Sequence, residues 1–288
     1  MTVPPTAVVT GANSGIGLET TRGLTRHGMH VVMVCRNRAK AMAAKADIEH
    51  SVPSSRLSIV LSDLGVQSEV HQAAEEIKTK SDRLDLLVNN AGIMLRSPQI
   101  TSDGVDMMLA VNHVAPFLLT NLLLPLLERS APARIVNVAS GAHRMGKLHL
   151  DDLQATRGYG LWGFPRYSET KLMNVLFTHQ LARRIEGSGV TANCLHPGEV
   201  ATNLGNPPAF VRLLLRSITV DPAHGAGTTL AAATNPEYAD VNGSYFVNGE
   251  PADHQLSRAG RDRQAAADLW TATEELLTPA VRRPHGSG

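Results

Sequence analysis

The sequence contains few cysteines, few aromatic residues and almost no net charge. Cys35 and Cys194 are the only cysteines, and both lie in apolar runs, which favours buried free thiols in a reducing compartment over a disulfide framework. Lys and Arg number 27 against 26 Asp and Glu, without a basic block that would supply the phosphate contacts of nucleic-acid binding. We therefore expect a cytoplasmic protein that does not bind nucleic acid.

Targeting signals and long apolar runs are also missing from the sequence. Residues 1–6 have neither the charged nor the apolar region of a signal peptide, and no apolar run reaches the roughly 20 residues that span a bilayer. The most apolar run, residues 117–127, contains Thr120, Asn121 and Pro125 and is typical of a buried helix. We expect no membrane association, and we identify no candidate metal ligands.

Strand-like and helix-like segments alternate about seven times along the 288 residues. Near-continuous apolar runs are typical of parallel strands that are covered by helices on both faces. The sequence therefore predicts an α/β fold, a single domain over residues 1–288 with a doubly wound parallel sheet of about seven strands. Predicted strands cover residues 7–9, 29–35, 57–61, 84–88, 134–139, 190–195 and 245–247, and predicted helices include 18–27, 38–50, 104–128, 167–186, 221–234 and 262–277.

Two further segments lie outside the predicted alternation of strands and helices. Residues 203–220 include a short amphipathic piece, which we interpret as a lid over a pocket; a membrane-surface helix and a contact with a partner subunit are alternatives. The last residues, 284–288, are predicted to be a disordered tail.

A glycine turn joins the first predicted strand to the first predicted helix. Glycine suits both a tight turn with positive φ and a backbone that approaches a pyrophosphate, because it has no Cβ. The helix that follows would direct its free N–H groups and its positive dipole end toward the phosphates. The spacing G-x-x-x-G-x-G meets the dinucleotide-binding pattern in part, so an ordinary strand-to-helix turn is the alternative. The turn reads Thr10-Gly11-Ala12-Asn13-Ser14-Gly15-Ile16-Gly17.

Charged residues follow the second and third predicted strands. In dinucleotide folds the end of the second strand meets the adenosine ribose, where an acidic residue suits NAD and an arginine suits the 2′-phosphate of NADP. Arg36 stands there and predicts a preference for NADP(H), a solvated cation being the alternative. Asp63 follows the third strand and either caps the next helix or approaches the adenine.

Small and polar residues follow the later strands, where open parallel sheets bind ligands. Asn89 and Asn90 could bridge neighbouring strands through their amides and leave room for a cofactor beside Gly92, or they could form a plain turn. Ser140 follows the fifth strand, and Pro197 fixes the exit of the chain from the sixth.

Tyr167 and Lys171 are four residues apart, so they share one face of a predicted helix. A phenol has a pKa near 10, and a nearby ammonium would lower it toward neutrality. Such a pair is also common on helix surfaces; Tyr159, by contrast, has a glycine at its i+4 position. Asn112 lies within an apolar helix, where an unsatisfied amide costs about 1–3 kcal/mol. It belongs either to hydrogen-bonded structure or to a site.

This set of motifs resembles the short-chain dehydrogenase/reductase family across nearly the whole chain. The order and approximate spacing match for Thr10-Gly11-x-x-x-Gly15-x-Gly17, Asn89-Asn90-Ala91-Gly92, Asn112, Ser140, Tyr167-x-x-x-Lys171 and Pro197-Gly198. Residues 11–17, 35–37, 137–143 and 171–177 are most similar to the retinol dehydrogenase and protochlorophyllide reductase-like branch. Glu199 differs from the cysteine that protochlorophyllide reductases have at this place, which argues against a light-driven reduction of a C=C bond.

The resemblance implies roles for individual residues. Tyr167 would donate or accept the proton, Lys171 would lower the pKa of Tyr167 and bind the nicotinamide ribose, and Ser140 would steady the substrate oxygen. Asn112 would hold a water that links Lys171 to solvent, and Thr202 would bind the nicotinamide amide. The implied cofactor-binding residues are Gly11, Asn13, Ser14, Gly15, Ile16, Gly17, Arg36, Asn37, Asp63, Leu64, Asn90, Ala91, Gly92, Tyr167, Lys171, Pro197, Gly198, Val200 and Thr202.

The expected activity is hydride transfer between NADP(H) and the carbonyl or alcohol of a small apolar substrate. The alternative is a non-catalytic, dinucleotide-sensing regulator on the same fold. Between Ser140 and Tyr167 the chain has a long insert, in which Tyr159, Trp162 and Phe164 either line the pocket or pack outside it. A homodimer or homotetramer is also expected.

Overall fold

The computed structural model describes residues 4–198 and 222–277. The described residues form an eight-stranded sheet with the strand order β3-β2-β1-β4-β5-β6-β7-β8. The first seven strands are parallel. Their bounds are β1 (Thr6–Thr10), β2 (His30–Cys35), β3 (Arg56–Leu61), β4 (Leu86–Asn89), β5 (Ala133–Val138), β6 (Val190–His196), β7 (Tyr245–Val247) and β8 (Glu250–Pro251).

Helices cover both faces of this sheet. On one face, Val8 of β1 belongs to a core with residues of α3, α4, α5 and α7. On the other face, Ala7 and Val9 pack with residues of α1, α2 and α6. The predicted doubly wound fold is therefore confirmed. The helices are α1 (Gly15–Arg26), α2 (Arg38–Ser51), α3 (Gln67–Lys80), α4 (Met107–Arg129), α5 (Phe164–Arg184), α6 (Pro222–Thr234) and α7 (Arg263–Leu277).

The structure differs from the prediction at a few elements. An eighth strand, β8, pairs antiparallel with β7; with two residues it is too short to have a recognisable sequence period. Helix α4 contains a π-helical segment, Ala110–Val114, where one continuous α-helix was expected. Helix α5 begins at Phe164, three residues before the predicted start at Tyr167.

The most apolar run of the sequence and both cysteines lie in the interior of the fold. Helix α4 is long and apolar enough to cross a membrane, but 78% of its apolar window is buried inside the fold, as expected for a core helix. Cys35 and Cys194 are buried and free, as predicted, while the reducing compartment stays a prediction.

Several predictions fall outside the described residues. These are the lid at 203–220, Glu199, the cofactor-binding candidates Val200 and Thr202, and the tail at 284–288.

Candidate active site

Two glycines of the turn between β1 and α1, Gly11 and Gly17, leave little or no room for a side chain. Gly11 has a φ of +67°, and a Cβ on Gly17 would lie 2.4 Å from the carbonyl oxygen of Gly11 and from Nδ2 of Asn90. Ser14 is the N-cap residue of α1, yet its side chain makes no cap hydrogen bond within the described chain. The first amides of α1 can therefore donate to a phosphate, as a dinucleotide requires.

Asn89 and Asn90 bridge neighbouring strands. Asn89 Nδ2 donates to Asn137 Oδ1 of β5 at 2.8 Å. Asn90 Nδ2 donates to the carbonyl oxygen of Thr10 at 2.8 Å, and Thr10 Oγ1 accepts from the backbone amides of Asn90 and Ala91 at 3.0 Å each. The plain-turn interpretation is thus wrong, and the hydrogen bonds fix the β4 end against the glycine turn.

Arg36 and Asp63 meet beyond the ends of β2 and β3. Arg36 Nη1 lies 3.6 Å from Asp63 Oδ2, and the Arg36 side chain is 73% exposed. Asp63 does not cap α3, because Oδ1 accepts from the amide of Gly65 and the helix begins at Gln67. Asn37 caps α2 by accepting from the amide of Lys40 at 2.9 Å. An exposed pair of this kind contributes little stability, so the guanidinium is free to turn toward another anion.

Tyr167 and Lys171 lie inside the protein at the carboxyl edge of the sheet. Their residues are 7% and 3% exposed, so the surface-pair interpretation is wrong. Lys171 Nζ donates to the carbonyl oxygen of Val138 at 2.8 Å and lies 5.7 Å from the ring centroid of Tyr167. A Cβ on Gly92 would come within 3.3 Å of the same Nζ, so the glycine makes room for the ammonium.

The ionisation of this pair differs from the expectation. Burial raises the pKa of Tyr167 to about 12, although a hydrogen bond with Ser140 acts in the opposite direction. Burial also lowers the pKa of Lys171 to about 8. The predicted lowering of the Tyr167 pKa by Lys171 is therefore not found in the protein alone, because loss of hydration dominates for both groups. Tyr167 keeps its proton at neutral pH.

Asn112 is fully hydrogen-bonded within the π-helical segment of α4. Its Oδ1 accepts from the amide of Ile93 at 2.8 Å. Its Nδ2 donates to the carbonyl oxygen of Ile93 at 2.9 Å and to Thr170 Oγ1 of α5 at 3.0 Å. A Cβ on Gly92 would lie 3.5 Å from Asn112 Oδ1. The amide is thus structural and also lies at the site, which fits the frequent occurrence of π segments at functional sites.

A buried ion cluster adjoins Tyr167, and sequence reasoning did not find it. Arg166 donates to Asp106 Oδ1 at 2.9 Å and to Glu169 Oε2 at 2.8 Å. The hydroxyl of Tyr159 donates to Asp106 as well. Arg166 directly precedes Tyr167 and Asp106 is the N-cap of α4, so the cluster joins the two helices that carry Tyr167 and Asn112. The sequence contained one signal for this cluster. Arg166 is a charged residue directly before Tyr167, at the start of a helix whose residues are largely buried.

The aromatic residues of the insert have different environments. Tyr159 is 3% exposed and packs in a cluster with Tyr167 and Met108. Trp162 and Phe164 are 49% and 38% exposed, and the ring of Phe164 lies 6.5 Å from that of Tyr167. Among the described residues, no group of three or more His, Cys, Asp or Glu side chains is placed to hold a metal ion.

Comparison with known proteins identifies the family. The family model for short chain dehydrogenases matches residues 5–208. The chain belongs to the short-chain dehydrogenase family. Human retinol dehydrogenase 14 is 39% identical over 292 residues, covering 94% of this chain and 86% of the human protein. Bovine retinol dehydrogenase 12 is also 39% identical, over 94% of this chain and 85% of the relative. The resemblance to the retinol dehydrogenase branch is therefore confirmed.

Solved structures of other proteins show the same fold. A putative uncharacterized protein from Mycobacterium paratuberculosis is 33% identical with a TM-score of 0.77, and the match covers 95% of each chain. A short chain dehydrogenase from Burkholderia cenocepacia J2315, solved in complex with NADP, is 25% identical with a TM-score of 0.68. That match covers 84% of this chain and 95% of the other. A nicotinamide dinucleotide is therefore the cofactor class of this fold, and the glycine turn described above fits it.

Proposed function

We propose that this short-chain dehydrogenase transfers a hydride between NADP(H) and the carbonyl or alcohol of a small apolar substrate, with Tyr167 as the general acid and base. The observation that carries the proposal is the burial of Tyr167 and Lys171 together, next to Ser140 and at the same edge of the sheet as the glycine turn. A phosphate-binding turn and a proton donor at one edge of the sheet meet the two requirements of this reaction.

The side chains divide the work of proton transfer and charge stabilisation. Tyr167, which is protonated at neutral pH, donates its proton to the oxygen of a carbonyl substrate. Ser140 hydrogen-bonds the same oxygen as negative charge develops on it. Lys171 lies over the Tyr167 ring and supplies positive charge where the phenolate forms. Bound nicotinamide would supply the hydride, and the turn at residues 11–17 would hold its phosphates.

The preference for NADP(H) is supported by Arg36. Its exposed guanidinium at the end of β2 is placed to meet a 2′-phosphate, and its pairing with Asp63 is weak enough to be exchanged. The Burkholderia relative, whose structure contains NADP, agrees with this assignment. We accordingly expect tighter binding of NADPH than of NADH.

The apolar substrate class is supported by the surroundings of Tyr167. Ile93, Met94 and Leu95 pack around it together with Met108 and Tyr159. The relatives named retinol dehydrogenase point to the same class of substrate. The alternative of a dinucleotide sensor has no supporting observation, since both Tyr167 and Lys171 are in place. A cytoplasmic location and a homodimer or homotetramer remain proposals that rest on the sequence.

The proposal is tested by titrating the purified protein with NADPH and NADH and following nicotinamide fluorescence. A panel of apolar aldehydes, ketones and quinones is then added, and oxidation of the cofactor is measured. We expect NADPH to bind more tightly and at least one carbonyl to be reduced. Tyr167→Phe should abolish turnover while the NADPH dissociation constant stays within about twofold. Turnover retained by the phenylalanine variant would contradict the assignment of Tyr167.

A further inference from the structure

Two histidines hold opposite ends of one peptide bond, the bond between Ser140 and Gly141. His143 Nδ1 lies 2.8 Å from the carbonyl oxygen of Ser140. The backbone amide of Gly141 lies 3.1 Å from His196 Nδ1. The carbonyl and the amide belong to the same peptide plane, so the plane that leaves Ser140 is fixed on both sides.

The two contacts require different tautomers of the imidazole ring. A carbonyl oxygen only accepts hydrogen bonds, so Nδ1 of His143 must carry a proton. A backbone amide only donates, so Nδ1 of His196 must be bare, and a neutral ring then carries its proton on Nε2. The amide of Ser257 lies 3.5 Å from His143 Nε2, which agrees with an acceptor at that atom.

The surroundings keep both rings neutral and in place. Burial is the main cause that lowers the pKa of His143 and brings that of His196 to about 4. His143 is fully buried, and its ring centroid is 4.9 Å from that of Tyr245. His196 is the last residue of β6 and pairs in register with Val247 of β7. The contacts therefore connect the end of β5 to the neighbouring strands.

The orientation of this peptide matters because Ser140 shares its plane. The Ser140 hydroxyl interacts with Tyr167, and Oγ also accepts from the amide of Ala142 at 3.2 Å. Rotation of the 140–141 peptide would change ψ of Ser140 and displace the Ala142 amide, so Oγ would lose this hydrogen bond and could shift. A displacement of about 1 Å in a catalytic group can cost a hundredfold in rate.

We propose that His143 and His196 are positioning residues that hold Ser140 in its catalytic orientation through opposite ring tautomers. The inference rests on the proposed function for its kinetic consequence, while the tautomers themselves do not depend on it. The sequence places His143 shortly after β5 and His196 at the end of β6, so both were expected at the same edge of the sheet. Spacing alone could not show that the two rings contact the same peptide group.

The kinetic test compares leucine and asparagine at each position. Leucine has similar volume and no hydrogen-bonding group, whereas the amide of asparagine can donate or accept near the place of Nδ1. We expect His143→Leu and His196→Leu to lower kcat by about tenfold to a hundredfold, with the NADPH dissociation constant within about twofold. His143→Asn and His196→Asn should recover most of the loss. His71, exposed on α3, supplies matched control variants that should leave kcat unchanged.

Equal kcat values for the leucine and asparagine variants would overturn the proposal, because a packing role would not distinguish them by hydrogen bonding. Nitrogen chemical shifts of the histidine rings give a second test on the wild-type protein that requires no turnover. We expect the Nδ1–H form for His143 and the Nε2–H form for His196; the same tautomer at both positions would refute the inference.

The two tests separate this inference from the proposed function. If Tyr167→Phe retains turnover, the proposed chemistry fails, and the ring tautomers still decide whether the two histidines hold the peptide. If the tautomers are as expected but all four substitutions leave kcat unchanged, the positioning role is refuted while the proposed chemistry stands. If a leucine variant fails to fold, the asparagine variants and the nitrogen shifts provide the decision.

Discussion

Arg166 Nη2 lies 2.9 Å from Asp106 Oδ1, and the side chains of both residues are 1% exposed. This buried ion pair joins the N-terminus of α5 to the N-terminus of α4 across 60 positions of sequence. Asp106 also accepts from the amide of Leu109 and thereby caps α4. Tyr167, which directly follows Arg166, and the π-helical segment with Asn112 are consequently supported by the same ion pair.

Neutralising Asp106 should destabilise the protein strongly. Asp106→Asn preserves the shape of the side chain but leaves the buried guanidinium without this charge, and breaking a buried pair costs about 3–5 kcal/mol. Asp151→Asn is the matched control, because Asp151 pairs with Arg157 on the surface, where both side chains are more than half exposed. That change should leave the free energy of unfolding nearly unchanged, because water already solvates both charges. Urea unfolding followed by circular dichroism measures the free energy of unfolding of both variants. An equal decrease in Asp106→Asn and Asp151→Asn would contradict the prediction that the buried pair stabilises the fold more than the exposed one.

A methyl group at Gly17 should damage the dinucleotide site. The Cβ of Gly17→Ala would lie 2.4 Å from the Gly11 carbonyl oxygen and from Asn90 Nδ2, so the turn or the β4 end must move. We expect the NADPH dissociation constant to rise by about tenfold or more, as for a loss of about 1.4 kcal/mol. Gly227→Ala is the control, because a Cβ there meets no atom within 4 Å, and alanine is the better helix former. Fluorescence titration of both variants makes the comparison; similar dissociation constants would show that the turn accommodates a side chain.

Reversing the charge of Arg36 should change the cofactor preference. Arg36→Asp removes the proposed contact with the 2′-phosphate and places a carboxylate near the ribose, as NAD-binding proteins have it. NADPH binding should weaken by about tenfold to a hundredfold, in keeping with the loss of a charged hydrogen bond, while NADH binding changes little. Arg26→Asp is the control variant. It makes the same charge change at the C-terminus of α1, the end of this helix that lies away from the glycine turn. The prediction is refuted if both cofactors lose affinity equally in Arg36→Asp, or if Arg26→Asp reproduces the change in preference.

Buried His113 should make the protein sensitive to acid. Burial, together with the charge of Arg166, lowers the pKa of His113 from 6.5 to about 3. Between these values the unfolded chain binds a proton that the folded chain does not, so stability falls as the pH falls. His113 alone then accounts for a loss of about 2 kcal/mol in the free energy of unfolding between pH 7 and pH 5.

Urea unfolding at pH 7 and pH 5, for the wild type and His113→Gln, measures the loss of stability that is due to His113. Glutamine does not titrate and can retain the contact that His113 Nε2 makes with Thr273 Oγ1 at 2.8 Å. The wild type should lose about 2 kcal/mol more than the variant on going to pH 5. His71→Gln, which alters an exposed ring, should behave like the wild type. If His113→Gln loses as much stability as the wild type, His113 is not the acid-sensitive group.

Local patterns predicted the elements that present the site. Apolar runs predicted the seven parallel strands of the described sheet to within two residues at each end, because a strand buried on both faces needs apolar residues along its length. The 250–251 strand had no such pattern, since its pairing depends on β7 lying beside it. Likewise, the π segment at Ala110–Val114 leaves the apolar character of α4 unchanged and is therefore invisible in its periodicity.

The sequence by itself determined the doubly wound fold, the glycine turn between β1 and α1, and the shared face of Tyr167 and Lys171. These features depend on residue types at short spacings and on the rule that parallel strands end at one edge of the sheet. Only the tertiary structure decided that Asp106 meets Arg166, that His143 and His196 hold one peptide, and that burial raises the pKa of Tyr167. Pairing across 50 residues or more and the removal of water depend on which surfaces pack together, and no short stretch of sequence contains that information.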